Sequence, residues 1–130
     1  MGSVCALAVA CGLLFAVQAD VAQARVISTT NGPITINSGN KTGLQQAYAW
    51  SNRCKPVPVS FSGHAGAGRL FRVRRMFRVT SGHCAGRAVR GYTVVYLAPT
   101  KFKGPTQVQF TLKPANNTNY FRFSRLMIIR

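Results

Sequence analysis

The run Arg69–Val79, Arg-Leu-Phe-Arg-Val-Arg-Arg-Met-Phe-Arg-Val, alternates with the period of a β-strand. Read two by two, Phe71, Val73, Phe77 and Val79 share one face, and Arg72, Arg74 and Arg78 share the other. Arg75 is the misfit on the apolar face. Read with period 3.6, Leu70, Arg74, Phe77 and Arg78 mix on one side, so a helix would have no coherent apolar stripe. The run predicts a half-buried strand with a basic outer face. The same period recurs along the chain. Val57, Val59 and Phe61 alternate with polar or proline neighbours. Tyr92, Val94 and Tyr96 alternate with Thr93, Val95 and Leu97, apolar on both sides as a central strand would be. Val108, Phe110 and Leu112 alternate with Gln107, Gln109, Thr111 and Lys113, and Tyr120–Ile129 reads as a last strand.

Turn residues bound these runs: Asn31-Gly32 between Arg25–Thr30 and Pro33–Asn37, then Gly63–Gly68, Thr80–Gly86, Ala98–Pro105 and Pro114–Asn119. Ser38–Gly43 reads as a polar loop, and Leu44–Trp50 as irregular chain or one helical turn. Strand follows strand without convincing helices between, which argues against a parallel α/β sheet. The expectation is an all-β fold, a β-sandwich of about seven short antiparallel strands, with a small barrel as the second choice.

The first segment reads as a leader. Val4–Val17 is almost wholly apolar but short for a membrane span, and Ala22-Gln23-Ala24 is a small-x-small cleavage pattern. No Lys or Arg precedes Val4, so the basic n-region is missing. Cleavage after Ala24 would leave residues 25–130 as a single domain, exported to the periplasm or beyond the cell. It would remove Asp20, the chain's one acidic residue, while all 17 Lys and Arg stand after it. Cys5 and Cys11 leave as well, so Cys54 and Cys84 are expected to form one disulfide. Closing that loop stabilises the fold by roughly 3–4 kcal/mol in the chain-entropy account.

Within Gly91–Leu112, Tyr96, Pro99, Phe102, Gly104 and Phe110 match a pattern of aromatic, proline and glycine positions. This stretch resembles the closing hairpin of bacterial Ig-like and cadherin-like surface domains. Cys54-Lys55-Pro56 and Gly82-His83-Cys84-Ala85-Gly86 are similar to the cysteine layout of small exported bacterial proteins. The resemblance implies an Ig-like sandwich and an exported location, and no activity. The acid usual after the glycine is replaced by Pro105-Thr106, and the expected mature chain has no carboxylate side chain. Calcium binding through carboxylates is therefore not expected.

Catalytic patterns are missing. There is no Glu, no Gly-x-Ser-x-Gly elbow and no third member for a Ser-His-Asp set. Cys84 beside His83 suggests a thiol nucleophile, but neighbours on a strand point to opposite faces and Cys84 has a disulfide partner. His64, His83 and the two cysteines lack the paired spacing of a zinc site. Gly63–Gly68 lacks the Lys-Ser/Thr of a phosphate loop. The expectation is a protein that is not an enzyme, with no cofactor, no metal and no small-molecule substrate.

What remains is charge. Arginine outnumbers lysine 12 to 5, and its planar fork grips phosphate and carboxylate bidentately. With no acid to pair against, the expected polyanion-binding residues are Arg72, Arg74, Arg78, Arg87, Arg90 and Arg122. In an exported protein the partners would be lipopolysaccharide, acidic polysaccharide, anionic lipid headgroups or extracellular DNA. No helix-turn-helix, zinc-finger or RNA-recognition signature is present. The leading expectation is a binding or structural module that docks on an anionic envelope or extracellular polymer. The alternative is a membrane-active cationic effector with antimicrobial action.

Overall fold

The computed structural model describes residues 24–130, and the expected leader lies outside them apart from Ala24. The described residues form an all-β fold with no helix and one disulfide, Cys54–Cys84. Among the described residues there are ten strands: β1 Val26–Thr30, β2 Ile34–Ile36, β3 Lys41–Ala47, β4 Ala49–Trp50, β5 Pro56–Val57, β6 Val59–Ala65, β7 Arg69–Arg78, β8 Ala88–Leu97, β9 Gly104–Pro114 and β10 Tyr120–Ile129.

One sheet is ordered β1, β10, β9, β6, with β2 lying beyond β1 along the same edge of β10. A second sheet is ordered β3, β8, β7, and β4 pairs with β5 alone. The inward residues of both sheets meet in one core: Val108, Phe110, Leu112, Met127 and Ile129 from the first, Ala47, Val94 and Tyr96 from the second. The alternation expected of β9 and β8 is met, and Val95 on the other face of β8 is buried too, as suits the middle strand of three. The crossing between sheets at residues 66–68 is fastened from both sides. Thr106 Oγ1 accepts the Ala67 N–H at 2.8 Å, and the Tyr96 hydroxyl donates to the Ala67 carbonyl at 2.7 Å.

The count of about seven strands is corrected to ten, and pairing is not wholly antiparallel. Asn31-Gly32-Pro33 splits one edge into β1 and β2, both parallel to β10. Pro33 lacks an amide donor, so a ladder breaks there. Leu44–Trp50 is mostly strand, and the expected Ser38–Gly43 loop already enters β3 at Lys41. The turn expected from Gly63 begins later, because Gly63 sits within β6 opposite Phe110. A side chain at Gly63 would collide with the Phe110 Cβ, so this glycine serves close packing rather than a turn.

β7 and β8 form a long hairpin paired from Arg69 opposite Leu97 to Arg78 opposite Ala88. Its two faces feed two different clusters. Residues 70, 92, 94 and 96 face the main core. On the other face, Phe77, Val79 and Val89 pack with Cys84, Cys54, Tyr48 and Trp50. Tyr48 stacks on Phe77 with ring centroids 4.4 Å apart and planes 10° apart. Arg75, the misfit, is exposed and lies opposite Gly91. A side chain at Gly91 would overlap the Ala47 carbonyl and the Tyr48 Cβ, so glycine is what lets Tyr48 close on the hairpin.

The parity expected for β7 is inverted. Arg72 stands opposite Val94 and Arg74 opposite Tyr92, and directly paired residues point to the same side. Val94 is fully buried in the core. Arg72 and Arg74 therefore share the core-facing side of their sheet. They escape burial because β7 is an edge strand and a long guanidinium stem can reach out past the rim. The apolar parity Phe71, Val73, Phe77 belongs to the opposite face, whose far end has the disulfide cluster as its cover.

Candidate functional site

Where the edge strands β6 and β7 run past each other, the two sheets leave a seam. An open cleft of about 370 Å³ lies there, lined by Arg72, Arg74, Arg90, Gly91 and Tyr92 from the hairpin, by Ala47 from the adjoining strand β3, and by Val57, Pro58 and Val59. Arg74 is opposite Tyr92, and Arg90 is two residues further along β8, so it is the diagonal neighbour of Arg74. Arg72 and Arg74 are alternate residues of one strand. On a pleated sheet such neighbours are spaced roughly 7 Å apart, and Arg90 stands opposite Met76, so the three arginines follow one another in a row along one face of the hairpin.

Arg72 is the best held. Its guanidinium carbon stands 5.4 Å from the Tyr92 ring centroid and 5.9 Å from that of Phe61. Each ring face attracts the cation, and the two rings come from opposite sheets. Tyr92 is fixed in turn by its hydroxyl, which donates to the Val59 carbonyl at 2.6 Å. Burial raises the ionisation point of that hydroxyl, an effect the Arg72 charge and hydrogen bond oppose without reversing. The phenol stays neutral and remains a donor. No Asp or Glu stands among the described residues, so no guanidinium here meets a side-chain carboxylate. Uncompensated cations beside an apolar wall attract anions more strongly than the same charges in open water.

The six arginines expected on one surface are divided. Arg72, Arg74 and Arg90 come together in the cleft. Arg78 shares their face of the hairpin but donates to the Gly86 carbonyl, fastening the β7–β8 loop. Arg87 lies in that loop, its amide donating to the Cys84 carbonyl at 3.0 Å. Arg122 is on β10 opposite Thr111, beside His64 and Gln109 on the outer face of the other sheet. Tyr92, Phe61 and the Val57-Pro58-Val59 wall were not among the expected site residues. A signal for the wall exists in Pro56 and Pro58: prolines at alternate positions forbid a central strand and leave an edge beside which a cleft can form.

The disulfide joins the loop after β4 to the loop after β7, with Cα atoms 5.4 Å apart. Cys54 has a positive φ of 63°. The His83 Nε2 lies 2.7 Å from the Asn52 carbonyl and 3.5 Å from the Cys84 sulfur. Cys54, His83 and Cys84 bring their ligand atoms within 4.8 Å of one another, but both sulfurs are bonded to each other and hold no thiolate for a metal.

No family model and no curated protein matches the chain. Among solved structures it is similar to the solution structure of amebosin, with 14% identity, 82% of this chain and 98% of that chain covered, and a TM-score of 0.43.

Proposed function

We propose that the chain is an exported, non-enzymatic Ig-like β-sandwich module that docks on an anionic envelope or extracellular polymer through its basic cleft. The observation that carries this reading is the convergence of Arg72, Arg74 and Arg90 on one cleft with no carboxylate to neutralise them. The Ig-like part is supported by strand order. A three-stranded sheet β3–β8–β7 faces a sheet β6–β9–β10 whose far edge is a parallel first strand. The export part is supported by the disulfide, which persists in oxidising compartments.

The test is binding of lipopolysaccharide, anionic vesicles and single-stranded DNA across a salt series, with wild type and the triple reversal Arg72→Glu, Arg74→Glu, Arg90→Glu. Tight binding to one polymer above physiological salt, abolished by the reversal while thermal unfolding stays cooperative, is the expected outcome. Weak binding to all three that the reversal leaves unchanged sinks the reading. A second reading, a membrane-active cationic effector, is favoured by Met76, which is 61% exposed on the same hairpin face as Arg74 and Arg78. It predicts leakage of anionic vesicles; binding without leakage excludes it.

A further inference from the structure

We infer that β7 is a docking edge for an extended acidic peptide of a partner protein, which adds to the β3–β8–β7 sheet as a fourth strand. This mode uses the backbone of β7 as well as its arginines and does not depend on polymer docking. β7 pairs with β8 from Arg69 to Arg78 without a shift in register, and among the described residues no strand pairs on its other side. The opposite edge of the same sheet differs. β3 has an irregularity between Gly43 and Gln45, a break of the kind that blunts edge pairing.

The register shows which backbone groups are free. The Val79 amide donates to the Arg87 carbonyl at 2.9 Å, one rung beyond Arg78 opposite Ala88. Bonded and non-bonded pairs alternate along an antiparallel ladder. Counting back from Val79, the residues Phe77, Arg75 and Val73 bond to β8, and Arg72, Arg74, Met76 and Arg78 turn their N–H and C=O groups to the open edge. The side chains of these four share one face, and directly paired residues of an added strand would stand on that face with them. Alternate side chains of any extended chain repeat at roughly 7 Å, so an acid at every second residue keeps step with the arginines. Charge selects the occupant. Residues 72–78 hold four arginines, and no Asp or Glu stands among the described residues. A second copy would set arginine against arginine, which repels, whereas an acidic strand turns each repulsion into attraction. Met76, exposed between Arg74 and Arg78, takes an apolar residue.

The test uses the purified protein and two capped peptides, Glu-Val-Leu-Glu-Glu-Val-Glu for an antiparallel strand and its reverse for a parallel one. One of them is expected to bind. N-methylation of that peptide at the residues set opposite Met76 and Arg74, whose amides face β7, should abolish binding. N-methylation at the residues set opposite Phe77 and Val73, whose amides face away, should leave it. With peptide at about ten times its Kd, amide exchange at Arg74 and Met76 should slow about tenfold, because these donors gain partners only in the complex. Arg74→Gln should weaken binding about two- to fivefold, and Arg122→Gln, on the other sheet, should leave it unchanged. No binding by either peptide, equal binding by both methylated forms, or unaltered exchange at Arg74 and Met76 overturns the inference. Slowing at those amides that grows with protein concentration alone makes a second copy the occupant and overturns it too. If peptide pairing holds while lipopolysaccharide, vesicles and DNA fail to bind, the docking reading alone fails.

Discussion

At its Arg69–Leu97 end the β7–β8 hairpin is covered by a second sheet, and at its Arg78–Ala88 end it is covered by a disulfide and a stack of aromatic rings. The first cover supplies many buried side chains, among them Tyr96, Val94, Val108 and Met127. The second has Val79, Val89 and Cys84 fully enclosed, with Tyr48, Trp50 and Phe77 half-buried around them. Burial of apolar area stabilises in proportion to area, so a patch this small holds poorly on its own. The cross-link and the Tyr48–Phe77 stack make up the difference. A hairpin can thus outrun the sheet that packs on it if its far end has another source of order.

The strongest way to break that contrast is to damage each half in turn. Phe110→Ala removes a ring that contacts Phe61 and Phe123 in the main core. It is expected to cost about 3–5 kcal/mol in urea unfolding, and a cost near zero would mean that the sheets are not what holds the molecule. Cys54→Ala with Cys84→Ala should cost about 3 kcal/mol. Its sharper signature is local: amide exchange should quicken across residues 76–90 while 106–112 stay protected. Uniform loss of protection would show that the two halves are one cooperative unit.

The smallest effect is on pH. Tyr92 and Tyr96 both belong to the sheet-covered half, and burial raises the ionisation point of each hydroxyl. The folded chain keeps these protons where the unfolded chain loses them. Stability from this source is therefore complete below about pH 10 and is lost as pH climbs through that value toward the folded ionisation points. Tyr96→Phe should flatten the alkaline fall while costing about 1 kcal/mol at neutral pH for the lost bond to Ala67. An unchanged alkaline profile in the variant would remove Tyr96 from the account.

Much of the architecture is legible in the residues because burial on one face imposes period 2, as at Val108, Phe110 and Leu112 and at Tyr92, Val94 and Tyr96. The disulfide is legible because Cys54 and Cys84 are the cysteines that remain once the apolar segment expected to be a leader is set aside. Facing is not legible in β7. Its apolar parity satisfies the disulfide cluster at Phe77, whereas the main core takes Leu70 from the other parity and leaves Arg72 and Arg74 on that side exposed. Local alternation says that a strand has two unlike faces, but not which one meets the second sheet. The cleft was half legible for the same reason. The arginines stand out in composition, but Phe61 and Tyr92 are brought to Arg72 only by pairing between distant strands.

The parallel edge of the first sheet carries a mechanical consequence. Val26 pairs with Tyr120 and Ile36 with Ile129, so residue 25 lies at one end of β10 and residue 130 at the other. Tension applied between those two residues pulls β1 and β2 lengthwise against β10. Every rung of that ladder then takes the load together in shear, instead of parting one rung at a time. A particle tethered at residue 25 and drawn through residue 130 would meet its resistance at this edge, far from the arginine cleft.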